Sequence, residues 1–354
     1  MTSSDTVIAG IGMITPVGLS AAETSASVRA NLMRFTEITW QDNNFEPYVV
    51  GEVVEEGLPA LAEPLQQDGT LTHREMRLLR LGTQPIRHAL AALPKGAEKP
   101  GLALALPEHD TTKAIDPKTF LERFAVQTEN TFDLSQSVAQ ARGRAGGLNA
   151  IGMAIGAIES GQAKLMLAGG IDTFRDPYVL GMLTAEGRVK NATNLDAFVP
   201  GEAAAFLLLT KSATAQTKGL PVIGTVSHVS SGLEPGHLYT KEPYQGEGLA
   251  ATFRALLSSG AARKPLGEVY SSMNGESHWA KEWGVAFLRN QDAFDPAVGI
   301  NHPADCYGDA GAATGPLMTG LAAIGILQRF RKSPALIYCS SDRGERAALI
   351  VEGV

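Results

Sequence analysis

The chain has 354 residues, of which 44% are hydrophobic and 19% charged, a balance typical of folded globular proteins. Its length suits one large domain or two fused ones. A net charge of −7 without a basic run argues against a nucleic-acid partner. The two cysteines, Cys306 and Cys339, are too few for a disulfide framework or a thiolate metal site, so we expect a reducing compartment, the cytoplasm.

Membrane segments are not expected either. The first residues carry neither a basic segment nor an apolar run of signal-peptide length. The longest weakly polar run, 310–327, contains Pro316 and consists mostly of Gly, Ala and Thr. This composition indicates a helix buried in protein rather than a membrane span, and we predict no membrane partner.

The hydrophobic pattern predicts an alternation of strands and helices. In chain order, we predict a strand over 6–12, a helix over 19–32, a helix over 74–93, a strand over 102–106, a helix over 118–128, a helix over 146–160, a strand over 164–167, a helix over 311–329 and a strand over 335–339. Ser20, followed by Glu23 three residues later, is typical of a helix start. The acidic, proline-spotted segment 38–70 is expected to be irregular, with a solvated acidic loop over 54–68.

Two of these helices point to an internal duplication. Helices 146–160 and 311–329 are both rich in Gly and Ala, and an apolar strand follows each of them. A helix with small residues on every side is expected to be covered on every side, so we place both in the middle of a layered α/β structure. A turn-rich stretch at 215–235 separates the halves, which we predict to be 1–225 and 226–354.

Two motifs that suggest a cofactor or a metal have simpler explanations. Gly10 and Gly12 follow the first strand, but Thr15 stands where a dinucleotide-binding motif needs its third glycine. His302, Asp305 and Cys306 could gather round a metal, yet a loop with a hydrogen-bonded histidine is far more common. We therefore predict no cofactor and no metal.

Four segments together identify a family. They are VIAGIGMITPVG at 7–18, GGLNAIGMAIGAIESGQAKLMLAGGID at 146–172, AFVPGEAAAFLLLTKSATAQTKGLPVIG at 197–224 and GDAGAATGPLMTGLAA at 308–323. In this order they resemble the β-ketoacyl synthase branch of the thiolase-like superfamily. The resemblance implies a five-layered αβαβα fold built from two similar halves.

The resemblance also implies where a catalytic triad would lie. Ketosynthases carry a nucleophilic cysteine at the start of the first central helix and two catalytic histidines. At the matching positions this chain has Arg144 for the cysteine, Glu276 for the first histidine and Asp309 for the second. A shift of two residues would instead bring His278 to the first histidine position. The family's glycine-rich turn near the C-terminus is replaced by SSDRGE at 340–345.

These replacements disfavour both condensation and decarboxylation. An arginine cannot carry an acyl group, and two carboxylates would repel the enolate that these reactions must stabilise. A guanidinium at the positive end of a buried helix needs partners, so we expect Arg144, Glu276 and Asp309 to form a buried ion network. Two alternatives stay open. Arg144 could turn to the surface or a subunit interface while Glu276 caps a turn, or Glu276 or Asp309 could act as the base of a hydrolase, with Cys306 the first candidate nucleophile.

Other conspicuous residues have structural interpretations. Trp279 and Trp283 stand four residues apart in an exposed-looking helix start, where a packing pair is expected. Asp172 and Arg175 lie close enough in sequence to form an ion pair.

Two classes of function follow. The first is a catalytically degenerate ketosynthase-like protein that binds or assembles with a partner. Ketosynthases dimerise through the strand before the nucleophile, so the resemblance implies a homodimer, or a heterodimer with a related chain, through the strand around 134–141. The segments NGE…EWG and HPADCYGDAGAATG resemble ketosynthase-like proteins found beside type VI secretion effector and adaptor genes, which implies a chaperone or adaptor role for an effector. The second class is an acyltransferase or hydrolase that acts on acyl thioesters with altered chemistry.

Overall fold

The computed structural model describes residues 5–108, 114–262 and 264–354. Its strands are β1 Thr6–Ile14, β2 Thr36–Gln41, β3 Pro47–Val50, β4 Gly101–Leu106, β5 Val138–Ala141, β6 Leu165–Thr173, β7 Glu202–Lys211, β8 Gly224–Val226, β9 Ser230–Leu233, β10 Leu266–Ser271, β11 Phe294–Asn301, β12 Ala335–Ser340 and β13 Glu345–Glu352. Its helices are α1 Ala21–Arg29, α2 Glu63–Gln66, α3 His73–Leu90, α4 Pro117–Gln127, α5 Gly143–Glu159, α6 Pro177–Ala185, α7 Ser212–Lys218, α8 Glu247–Ser258, α9 Ser277–Arg289, α10 Ala304–Tyr307 and α11 Thr314–Leu327.

The strands fall into two sets with the same order. The first runs β5-β4-β6-β7-β1 and the second β11-β10-β12-β13-β8. In both sets the first three strands are parallel and the last two pair antiparallel to their neighbours. Strand β8 bonds to both β1 and β13 and so joins the sets. The predicted division between residues 225 and 226 falls within β8 and stays a prediction.

Two helices separate the strand sets. Helices α5 and α11 contact each other and strands of both sets, α3 and α4 lie against the first set, and α8 packs with α9 on the second. The predicted five-layered αβαβα fold is therefore confirmed. No helix among residues 5–108, 114–262 and 264–354 is long and apolar enough to cross a membrane.

The middle helices differ in how completely they are covered. Helix α11 is buried along nearly all its length, as its small residues predict. For α5 the expectation of full coverage is wrong, since Gly156 is exposed and Gly152 and Met153 are only half-buried. One face of a helix rich in small residues is thus open to solvent beside β5.

The glycines of the first strand allow close packing. A Cβ atom at Gly10 would collide with the carbonyl group of Ala89 in α3, and one at Gly12 with that of Pro85. The two glycines let α3 approach the backbone of β1, which explains the motif without a dinucleotide.

Most predicted elements are present, with shifted ends. The strand predicted over 164–167 extends to Thr173 because β7 pairs with it along its whole length. The segment 38–70 is not wholly irregular, since it contains α2 and the β2–β3 hairpin, whose Ile38 and Trp40 pack against a small buried cluster around Phe198. Ser20 caps α1 by accepting a hydrogen bond from the amide of Glu23, as predicted.

Candidate functional site: a buried ion network

Arg144 is the second residue of α5, and its side chain points inward. Only 4% of the side chain is exposed. Its Nε atom lies 2.8 Å from Oδ2 of Asp309, its Nη2 atom contacts the same oxygen, and its Nη1 atom lies 2.6 Å from Oδ1 of Asp342. Arg144 is therefore held by two carboxylates from distant parts of the chain, and the alternative in which it turns to the surface is wrong.

A second guanidinium extends the cluster. Arg188, which follows α6, donates from Nε and Nη2 to the two oxygens of Glu276 at 2.7 and 2.9 Å. Its Nη1 atom donates to Oδ2 of Asp342 at 2.7 Å. Asp342 thus bridges the two arginines.

The side-chain amide of Asn274 connects the two ends of this series of ion pairs. The Nδ2 atom of Asn274 donates to Oε2 of Glu276 at 3.0 Å and to Oδ2 of Asp309 at 2.8 Å. A continuous circuit results, here called the ion network, whose members are Arg144, Asp342, Arg188, Glu276, Asn274 and Asp309.

Aromatic rings line the network. The guanidinium of Arg144 lies 5.9 Å from the centroid of the Phe198 ring and 5.5 Å from that of Trp279, and the guanidinium of Arg188 lies 5.3 Å from the Phe198 ring. The Nε1 atom of Trp279 donates to Glu276 at 2.9 Å. These rings exclude water and add cation–π attraction to the ion pairs.

Neighbouring charges shift the pKa values of Arg144 and Asp342. Burial alone would lower the pKa of the Arg144 guanidinium, but Asp309 and Asp342 outweigh it and hold that pKa well above its ordinary value. Burial would raise the pKa of the Asp342 carboxyl, but Arg144 and Arg188 hold it far below its usual range. The network has three carboxylates and two guanidiniums, and it lies at the start of α5, where the helix dipole is positive.

The carboxylates of Glu276 and Asp309 are already engaged by several donors. Oε1 of Glu276 accepts from Arg188, and Oε2 accepts from Arg188, Asn274 and Trp279. Both oxygens of Asp309 accept from Arg144, with further bonds from Asn274 and the amide of Gly311. Both oxygens of each carboxylate therefore already accept at least one hydrogen bond, whereas a general base needs a lone pair that a substrate proton can reach.

The three residues singled out in the sequence meet in this region, though not as a simple trio. Arg144 contacts Asp309 directly, whereas Glu276 joins through Arg188 and Asn274. Glu276 precedes α9, but its side chain makes no capping bond to that helix. That these positions correspond to a lost cysteine and two lost histidines stays a prediction.

His278 lies outside the ion network. Its ring packs against those of Tyr244 and Trp279, with 4.7 Å between centroids in each case. Its Nε2 atom is buried and has no hydrogen-bond partner among the described residues. Burial and the nearby charge of Arg346 lower the pKa of His278. Without a partner to orient its ring, His278 is not arranged as a catalytic base.

Neither cysteine is arranged as a nucleophile. Cys306 and Cys339 are free and buried. Burial, with the nearby charge of Asp305, raises the pKa of the Cys306 thiol to about 11, and burial raises that of Cys339 further. Both therefore stay protonated near neutral pH, where the thiolate would be the reactive form.

The other side-chain expectations have mixed outcomes. No cluster of three or more His, Cys, Asp or Glu side chains suited to a metal occurs within the described ranges, and His302 contacts the Ser271 hydroxyl at 3.3 Å. The expected Asp172–Arg175 pair is wrong, since Arg74 pairs with Asp172 and Arg175 pairs with Glu52.

The two tryptophans of α9 are buried, not exposed. Trp279 faces the ion network, whereas Trp283 stacks on Tyr338 with 5.5 Å between ring centroids. The two side chains therefore lie in different environments, and each makes its own set of contacts instead of the predicted packing pair.

Comparison with known proteins agrees with this architecture. Residues 138–215 match the β-ketoacyl synthase N-terminal domain. The chain is 34% identical over 119 residues to the actinorhodin polyketide β-ketoacyl synthase 2 of Streptomyces coelicolor, a match that spans 30% of this chain and 27% of that protein.

Two solved structures match almost the whole chain. A type II polyketide synthase acyl-carrier protein complex with its ketosynthase gives a TM-score of 0.77 at 15% identity, covering 99% of this chain and 100% of that one. The ishigamide ketosynthase/chain length factor gives 0.76 at 16% identity, covering 99% of both chains. The chain has the fold of the β-ketoacyl synthases.

Two members of the network in this ketosynthase-like chain were missed in the sequence. Arg188 lies in no recognised motif, and Asp342 was noted only as part of the altered turn at 340–345. One signal in the sequence could have pointed to Arg188. The expected network of Arg144, Glu276 and Asp309 has two carboxylates for one guanidinium, and a buried excess of negative charge needs a second cation.

We expect Arg144→Met to destabilise the ketosynthase-like fold by about 3–5 kcal/mol, because it leaves Asp309 buried with its charge uncompensated. The free energy of unfolding in urea measures this loss. Arg142→Met is the matched control, because Arg142 directly precedes the same helix and also forms an ion pair, with Glu345. Its side chain is 54% exposed, so that pair is not buried. The control should lose less than about 1 kcal/mol. Equal, small losses in both variants would contradict a buried network.

The network also predicts an acid-sensitive fold. Because the folded-state pKa of Asp342 is depressed, its stabilisation is present above the ordinary Asp pKa of about 3.9 and is lost as pH falls below that value. The difference in unfolding free energy between the wild-type chain and Asp342→Asn should therefore be largest near pH 6 and shrink towards pH 3. Asp292→Asn, at an exposed site, should show a constant difference. A difference for Asp342→Asn that does not change with pH would count against the ion bridge.

Proposed function

We propose that this protein is a catalytically inactive ketosynthase-like protein that acts as a binding or assembly partner. The observation that carries the proposal is the ion network, because it occupies the start of the central helix α5 with a guanidinium that two carboxylates hold. Acyl transfer to an enzyme needs an exposed nucleophile with a nearby base and oxyanion donors at this end of a helix.

The surroundings of the network support the same proposal. Asp342 is its most exposed member, with 17% of its side chain accessible. Tyr239 lies over Arg188 and donates to Glu186 at 2.8 Å, and the guanidinium of Arg343 stacks 5.0 Å from the centroid of the Tyr239 ring. A thioester would have to displace these groups and separate buried ion pairs before it reached α5.

An enzyme that handles acyl thioesters with altered chemistry is the alternative. Cys306 is its candidate nucleophile, but burial keeps the thiol protonated. Catalysis would require Cys306 to become accessible and to acquire a base, and the described residues supply no such pairing.

The test is intact-protein mass spectrometry after incubation with acetyl-, malonyl- and long-chain acyl-coenzyme A. We expect no acyl adduct on the wild-type chain, because it lacks an accessible thiolate. A ketosynthase with its nucleophilic cysteine, treated in parallel, verifies that the donors react. An adduct on the wild-type chain that disappears in Cys306→Ala would overturn the proposal in favour of the altered enzyme.

We further propose that the chain forms a homodimer through β5, or a heterodimer with a related chain. Strand β5 ends the sheet and so has one unpaired edge, and Val138 on it is 45% exposed. The open face of α5 lies beside it, where a groove of about 450 Å³ is lined by Gln140, Gly152 and Gly156. A second copy adding its β5 strand would extend the sheet and cover this glycine face. Among the similar structures, one is a ketosynthase/chain length factor and another an acyl-carrier protein in complex with its ketosynthase.

We expect Gly156→Glu to convert the dimer into a monomer in sedimentation-velocity measurements. A side chain at Gly156 meets no atom within 4 Å in the isolated chain, so the fold accommodates it, whereas a partner packed on α5 would be displaced. Gly284→Glu in α9 is the control, since that site is equally open but lies in the outer layer. A dimer that survives Gly156→Glu, or a wild-type chain that sediments as a monomer, would refute this interface.

An adaptor or chaperone role for a type VI secretion effector, in the cytoplasm, is the most specific form of this proposal. Its support is the resemblance of the segments at 274–284 and 302–315, which include Glu276 and Asp309 of the ion network. Co-purification of the chain with an effector encoded beside it, from the native host, tests this form directly.

A further inference from the structure

A cleft of about 990 Å³ lies away from the ion network. It opens between the first turns of α3, the start of α6 and the β2–β3 hairpin, and no network residue lines it. Its volume lies at the upper end of what ligand sites in proteins usually have. Apolar side chains form much of its wall, namely Trp40, Leu61, Leu71, Met76, Ile115 and Tyr178.

The rest of the described wall is mostly polar and contains four arginines. Arg74, Arg77 and Arg80 recur every third residue along α3, which puts them on one face of that helix, and Arg175 adds a fourth guanidinium. Among the described lining residues, Glu55 and Asp176 supply negative charge, so guanidiniums outnumber carboxylates in the wall. Each guanidinium also has a carboxylate partner, which is Asp172 for Arg74, Glu202 and Glu55 for Arg77, Glu55 for Arg80 and Glu52 for Arg175.

Two of these arginines keep hydrogen-bonding capacity for a ligand. Arg175 donates to Glu52 from Nε at 2.7 Å and stacks 5.2 Å from the Trp40 ring centroid, while its two terminal nitrogens have no hydrogen-bond partner among the described residues. Arg74 donates to the carbonyl of Thr173 at 3.2 Å and reaches Asp172 only at 3.4 Å. Arg77 and Arg80, in contrast, are engaged by Glu55 and by carbonyl groups of the adjoining loop.

We propose that this cleft binds an extended peptide segment of a partner protein in which apolar side chains alternate with Asp or Glu. Apolar groups would cover the Trp40–Leu71–Ile115 wall while carboxylates pair with Arg74 and Arg175. The inference rests on the proposed function as a binding partner, and it identifies a surface and a chemistry for that partner.

A peptide fits this wall better than a fatty acid does. The two arginines with unused donors come from separate segments, Arg74 from α3 and Arg175 from the loop before α6. A fatty acid brings one carboxylate at one end, whereas an extended peptide repeats its side chains on one face about every 7 Å. A peptide can therefore meet cations that are spread along the cleft.

The experiment is a peptide-display selection on the full chain, followed by fluorescence anisotropy of the selected sequences. One library alternates Asp or Glu with apolar residues over seven positions, and the second has Lys or Arg in place of the acids. We expect enrichment from the acidic library alone and roughly ten-fold weaker binding to Arg175→Gln, as the loss of one charge-assisted contact implies. Arg142→Gln, an exposed arginine outside the cleft, should bind like the wild-type chain.

Three results would overturn the proposal. The first is equal enrichment from both libraries or from neither. The second is a selected peptide that binds Arg175→Gln as tightly as it binds the wild-type chain. The third is displacement of the peptide by dodecanoate at equal concentration, which would indicate a fatty-acid site. An acyl adduct in the mass-spectrometric test would refute the inactive-protein proposal instead, so the two failures are distinguishable.

Discussion

The ion network links residues associated with the two strand sets. Both of its guanidiniums, Arg144 and Arg188, come from the first strand set and the helices on it, whereas Glu276, Asp309 and Asp342 follow strands or helices of the second. Buried charges tolerate separation poorly, because each would be left in a low-dielectric interior without its counterion. At this end of α5 and α11, the relative position of the two strand sets therefore depends on intact ion pairs in the network.

The features that stabilise this region are poorly suited to acyl chemistry. An arginine at the start of α5 needs carboxylates, the carboxylates need donors such as Asn274 and Trp279, and the aromatic rings around them exclude water. Oxyanion catalysis requires donors that remain unpaired until the substrate arrives. Here the network side chains donate to one another, and in our proposal the start of α5 therefore has a structural rather than a catalytic role.

The surfaces suited to partners lie elsewhere on the fold. The free edge of β5 continues into the open glycine face of α5, and the arginine-lined cleft lies between α3 and α6. Each combines apolar area with unused hydrogen-bonding groups, which is what a protein partner needs for affinity and orientation. In our proposal, the protein functions by binding a partner, because its central helix presents no nucleophile.

The sequence by itself indicated the duplicated α/β unit, and its family resemblance implied the layered fold. Small residues along 146–160 and 311–329 predicted helices packed between sheets, and the charged residues Arg144, Glu276 and Asp309 at the expected triad positions are visible without coordinates. Only the tertiary structure decided which carboxylate meets which guanidinium. Arg188 and Asp342 are 154 residues apart, and Arg144 and Asp309 165 apart, so no local pattern records their contact. The open face of α5 was likewise beyond sequence reasoning, because coverage depends on which strand ends the sheet, and that follows from long-range pairing.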